Sequence, residues 1–132
     1  MLRGFAEDDM TKQQVAVEVG SKIREICRRY GERTEFNVLN NSNAVEIISM
    51  YGTRFWIRLI EFNGAVKVDI NVAQLRPELR RKGVLTTILK ELSRLKSIDS
   101  LVISSVCTKE MYEFCLSRGL KENLALGCWV VK

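Results

Sequence analysis

Two different periodicities meet at Arg80-Arg81-Lys82-Gly83-Val84-Leu85, and a chain that carries both side by side must pass from strand through turn to helix. Ahead of this segment the run from Ala65 to Leu75 alternates apolar and polar residues, and the turn Arg76-Pro77-Glu78 follows it. Behind it, Val84, Leu85, Ile88, Leu89, Leu92 and Leu95 recur at helical spacing, which predicts a helix from Gly83 to Lys96. A basic, glycine-bearing turn that opens a helix presents unpaired backbone N–H groups and the positive end of the helix dipole. Such a place binds phosphate. Arg76, Arg80, Arg81 and Lys82 add positive charge there, although a basic helix start on a solvated surface has the same composition.

The remaining elements follow from the same patterns. Met1 to Phe5 reads as a short first strand, and Thr11-Lys12-Gln13-Gln14 has the form of a capping box. The helix expected from there carries Val15, Val19, Ile23, Ile26, Cys27 and Tyr30 on one stripe and stops at Gly31. Glu32 to Leu39 alternates weakly, and Asn40-Asn41-Ser42-Asn43 is a turn cluster that tolerates left-handed backbone. Strands are predicted over Val45 to Met50, Phe55 to Phe62 and Ala65 to Leu75. Asn63-Gly64 between the last two is a strong hairpin signal, so the strands form an antiparallel meander. Ser97 to Ser100 is a turn, and Leu101 to Val106 is a short strand apolar on both faces. Thr108 caps a helix running to about Arg118, Gly119 ends it, and Leu124 to Val131 closes the chain as a strand. The 132 residues form one domain of α/β class, a mixed, mostly antiparallel sheet with helices on both faces.

Composition narrows the chemistry. The chain has no histidine, so His-dependent triads and the usual Cys/His zinc sites are excluded, and no metal is expected. Cys27, Cys107, Cys115 and Cys128 stand singly in apolar segments and read as buried free thiols. No apolar run approaches a membrane span and the first residues do not read as a signal peptide, so a cytoplasmic protein without membrane contact is expected. The net charge of +5 suits an anionic partner, whether a phosphorylated cofactor, nucleic acid or an acidic protein.

The stretch Leu75-Arg76-Pro77-Glu78-Leu79-Arg80-Arg81-Lys82-Gly83-Val84-Leu85 resembles the acetyl-CoA signature of the GNAT acyltransferases, an apolar residue and Pro-Glu followed by Arg/Gln-x-x-Gly-x-Gly/Ala at a helix head. Phe114-Cys115-Leu116-Ser117-Arg118-Gly119-Leu120 is similar to that family's later Leu-Tyr-x-x-x-Gly-Phe segment. The resemblance implies the family's fold over residues 1–132 and transfer of acetyl from acetyl-CoA to an amine by direct attack in a ternary complex. It implies that Arg80, Arg81, Lys82, Gly83, Val84 and Leu85 hold the pyrophosphate and that Leu75 pairs with the pantetheine arm. The chain departs from the pattern at Leu85, where the family has Gly or Ala, and at Cys115, where it has tyrosine.

An acceptor lysine has a pKa of about 10.4 and must be deprotonated before it attacks. Some family members hold a carboxylate near the position of Asp69, six residues before Leu75 and on the same strand face as Asn71 and Ala73; Glu61 is the substitute. Protonation of the leaving thiolate falls to Tyr112, almost one helical turn before Cys115, to Cys115 itself or to water. The acceptor is left open among a protein lysine or N-terminus, a small amine and a nucleobase amine. The alternative reading is a GNAT-like binding protein without chemistry that contacts nucleic acid or a protein. An exposed closing strand would permit a homodimer.

Overall fold

Residues 2–80, 82–104, 109–123 and 128–132 are described by the computed structural model, with side chains from residue 12 onward except at 73, 80 and 123. Helix α1 runs over Leu2–Arg29. It replaces the first strand expected at residues 2–5 and places Thr11 inside the helix, away from any cap; Met1 lies outside the described residues. The segment before Thr11 has no proline, and extending a helix already nucleated is far easier than starting one, so the helix continues through it. Val15, Val19, Ile23, Ile26 and Cys27 are buried as the stripe requires, and Gly31 ends the helix in left-handed backbone at φ 82°.

Four strands follow as a meander: β1 (Glu35–Leu39), β2 (Ala44–Ile48), β3 (Arg54–Phe62) and β4 (Ala65–Gln74). Asn63 and Gly64 between β3 and β4 both have positive φ, 52° and 80°, as a two-residue hairpin turn demands. After β4 the chain makes the short helix α2 (Pro77–Arg80), where a simple turn was expected, with proline at the first helical position. Helix α3 (Val84–Ser93) leads to β5 (Ser100–Ser104), then α4 (Lys109–Ser117), β6 (Lys121–Asn123) and β7 (Cys128–Val130). Thr108 and residues 105, 106 and 124–127, assigned above to a cap and to strand ends, lie outside the described residues. The sheet order is β1-β2-β3-β4-β5-β7-β6, with β4–β5 parallel and the other pairs antiparallel.

Residues opposite one another in a ladder point to the same face. Val38, Val45, Ile57, Ile70, Ile103 and Trp129 therefore form one apolar row across six strands. The adjacent row, Leu39, Ala44, Arg58, Asp69, Val102 and Val130, faces the other way. The first row joins one core with the apolar stripes of α1 and α3 and with Met111, Phe114 and Cys115 of α4. Each fully buried Ile or Val contributes about 1.5–3 kcal/mol by leaving water. Helices α1 and α3 lie side by side, tied by Arg29 to Glu91 at 2.7 Å and by Tyr30 to Thr87 at 2.8 Å.

Helices on both faces were expected, yet among the described residues α1, α3 and α4 share one face. The reason is topological. The crossovers from β4 to β5 and from β5 to β6 step in the same direction along the sheet, and right-handed crossovers in one direction deposit their helices on one side. The opposite face carries Glu46, Arg58, Lys67 and Asn71, which need no cover.

Helix α1 comes close to the sheet at Gly20, where an added Cβ would sit 2.5 Å from the Phe36 ring. Gly20→Val is expected to push α1 from β1 and to lower stability by about 1–3 kcal/mol in urea unfolding. An unchanged midpoint would place the helix elsewhere.

Candidate functional site

The site begins where β4 and β5 part. Their parallel pairing covers Lys67–Ile70 against Ser100–Ile103 and stops there, while β4 runs on to Gln74 with β3 as its ladder partner. The register of β3 and β4 shifts between Phe55, opposite Val72, and Arg54, opposite Gln74. Such a bulge bends its strand away from the ladder. The end of this parallel pairing is the place where open α/β sheets have the crevice that receives ligands.

Helix α3 follows β4 in the chain after the short helix α2. Its N-cap, Gly83, has φ 82° and ψ 17°, a left-handed conformation that glycine adopts without strain, and no side chain caps the helix. The first-turn N–H groups of Val84, Leu85 and Thr86 are left by helical geometry without an intrahelical acceptor. Thr87 bonds back to the Gly83 carbonyl through both its N–H, at 3.0 Å, and its hydroxyl, at 2.9 Å. That hydroxyl also meets Tyr30 at 2.8 Å, so the helix start is fastened to the end of α1. Val84 and Leu85 turn their side chains into the core. The large residue at position 85 therefore points away from the outer side of the turn, and among the described residues nothing lies within 4 Å of a Cβ built on Gly83. The buried hydroxyl of Thr86 has no hydrogen-bond partner among the described residues.

Of the cations expected at the turn, Lys82 is exposed. Arg80 lies in α2 with its side chain not described, and Arg81 lies outside the described residues. Arg76 is a correction: its guanidinium points inward to Glu32, with Nε 3.1 Å from Oε2, and stacks 5.3 Å from the Tyr51 ring centroid. Glu32 is wholly buried, and its Oε2 also accepts from the Thr53 hydroxyl at 2.6 Å. The Arg76 amide in turn donates to Thr53 Oγ1 at 3.2 Å. The Arg76–Glu32 contact is close but poorly aligned, so Arg76 Nε has no hydrogen-bond partner among the described residues, and neither has Glu32 Oε1. Together these groups clamp the turn between β4 and α2 onto the end of α1. Sequence reasoning missed Glu32 and Thr53, because a glutamate after a helix-ending glycine reads as solvated loop.

Leu75 is half-buried against the core. Asp69 lies on β4 one residue before the β4–β5 pairing ends, on the face without helices. It is 6% exposed; Oδ2 accepts from Arg58 at 2.9 Å and Oδ1 has no partner among the described residues. Glu61 sits at the hairpin end of β3, the far end of the ladder. Tyr112 packs edge-on against Trp129, with centroids 5.4 Å apart, on the helix-bearing face. Asp69 and Tyr112 are therefore on opposite sides of the sheet and are not brought together. Cys115 has no exposed surface, and burial, helped by Glu122, pushes its thiol up to about 11. It has no open side from which to hand a proton to a leaving thiolate.

Burial, with Glu32 nearby, raises the Cys27 thiol to about 12. A thiol-reactive dye at pH 8 is expected to leave Cys27, Cys115 and Cys128 unmodified in the native protein and to label all four cysteines after unfolding. Rapid native labelling of any of those three would contradict the packing. Among the described residues no helix is long and apolar enough to cross a membrane, and no cluster of ligating side chains could hold a metal ion.

No family model, curated protein or solved structure matches the chain.

Proposed function

We propose that the chain is an acetyl-CoA-dependent N-acyltransferase of GNAT type. The observation that carries this reading is a β4–β5 pairing that ends at Ile70 and Ile103 while β4 runs on to Gln74, followed in the chain by a helix start whose first-turn amides have no side-chain cap among the described residues. The pyrophosphate of the donor is held by the N–H groups of Val84 and Leu85 with Lys82 beside them, where the helix dipole favours negative charge. The pantetheine arm lies along β4 from Asn71 to Leu75, which brings the thioester toward the point where the strands separate.

The acceptor approaches from the open sheet face, where Asp69 is the carboxylate nearest that point along β4. Asp69 takes a proton from the ammonium of the acceptor, and the neutral nitrogen attacks the thioester carbonyl. The new C–N bond forms, the C–S bond breaks, and the second proton that the nitrogen sheds passes through water to the thiolate. Amine and donor are bound together, so proximity supplies much of the acceleration.

Acetyl-CoA at about 100 times its Kd is expected to add about 2.7 kcal/mol to stability, read as a rise in the heat-denaturation midpoint. Adenosine, which lacks phosphate and pantetheine, is expected to give no rise. Equal midpoints with and without acetyl-CoA would sink the reading.

A further inference from the structure

A second concave site lies away from the β4–β5 crevice, between the C-terminal half of α1, the start of β1 and the end of β2. Its volume is about 870 Å³, within the range of about 300–1,000 Å³ that ligand clefts occupy. Three arginines line it: Arg24 and Arg28, one helical turn apart on α1, and Arg33 just before β1. Like charges at that helical spacing repel. The wall also holds Glu25, Glu32 and Glu35, but Glu25 is paired to Arg29 at 3.0 Å and Glu32 to Arg76 at 3.1 Å. Among the described residues no carboxylate lies within 4.0 Å of Arg24, Arg28 or Arg33, and Arg24 meets only the Phe36 ring, at 5.0 Å. Three guanidinium groups without counter-ions in one concavity, against the single uncommitted carboxylate of Glu35, make a receptor for an anion that carries several charges.

The shape of the anion follows from the spacing. Side chains one turn apart on a helix stand about 5–6 Å from each other at Cβ. Alternate residues of an extended peptide repeat at about 6.6–6.8 Å, a difference of about 1 Å that the long arginine side chains span. The cleft also has features that a bare phosphate leaves unanswered. Its lip carries the apolar side chains of Ile48 and the exposed Met50. A peptide brings apolar side chains along with its carboxylates. We propose that this cleft receives an extended acidic peptide segment, with carboxylates at alternate positions on Arg24 and Arg28 and a further one on Arg33. The proposal stands independently of the acyltransferase reading.

The test is a fluorescence-anisotropy titration of the full chain into a labelled hexapeptide that alternates glutamate with valine, at low and physiological salt. Saturable binding that weakens with salt is expected, and Arg24→Gln and Arg28→Gln are each expected to weaken it about five- to tenfold. Both arginines are exposed on α1, so the variants should keep the wild-type unfolding midpoint, which circular dichroism checks. Gly83→Val should bind the peptide as wild type does, which separates this cleft from the crevice at α3. Absent saturation, equal binding by the Arg24→Gln/Arg28→Gln double variant, or equal binding of the glutamine counterpart of the peptide would each overturn the proposal. Stronger competition by pyrophosphate or by a short single-stranded RNA than by unlabelled peptide would also overturn it and assign the arginines to phosphate.

Discussion

Glu32→Ala is expected to lower the stability of the folded chain by about 2–4 kcal/mol. Removing one partner of a buried ion pair typically costs about 3–5 kcal/mol because the other charge is left stranded. The figure is reduced here because Arg76 is 25% exposed and water screens part of the loss. The Thr53 hydroxyl would lose its acceptor in the same step. In urea the midpoint should fall while the m value stays constant. A second variant separates the charge from the space it fills: Glu32→Leu combined with Arg76→Met removes both charges at similar volume and should recover most of the loss. A fall in midpoint equivalent to less than about 0.5 kcal/mol for Glu32→Ala would mean that the clamp on the β4–α2 turn is ornamental.

Gly83→Val is expected to act on both stability and binding. A β-branched residue at φ 82° costs at least about 1–2 kcal/mol, because Cβ crowds the neighbouring carbonyl in left-handed backbone. Space is not the obstacle, since among the described residues nothing lies within 4 Å of the added carbon. Relief of the strain requires the turn to rotate, and the turn aims the amides of Val84 and Leu85. Acetyl-CoA binding should therefore be lost in calorimetric titration while the circular dichroism of the helices remains. A destabilised variant that binds acetyl-CoA with wild-type affinity would remove the turn from the site.

Much of the fold could be read in the residues because local preference and global packing agree there. The period-two runs gave β2, β3 and β4 to within a residue or two, and Asn63-Gly64 named its own turn. Helix α3 was expected to reach Lys96 but ends at Ser93, with Arg94 as its cap. What failed to show depends on neighbours distant in sequence. Nothing in Met1 to Phe5 tells a strand from the first turn of a long helix, because either pattern fits five residues. Alternation tells which residues of a strand share a face, but the face covered by helices is set by crossover direction, so Asp69 and Tyr112 looked closer to partners than they are. Arg76 looked like one more cation at a phosphate loop until Glu32, 44 positions earlier, was found beneath it. The helix start at Gly83, by contrast, needed only local sequence.

The most direct test of the central claim is amide hydrogen exchange with and without saturating acetyl-CoA. Binding at the crevice predicts slower exchange confined to Asn71–Leu75 and to Gly83–Thr87, where β4 leaves β5 and α3 begins. Unchanged exchange at millimolar acetyl-CoA, or protection that falls instead on Arg24–Glu35, would contradict it.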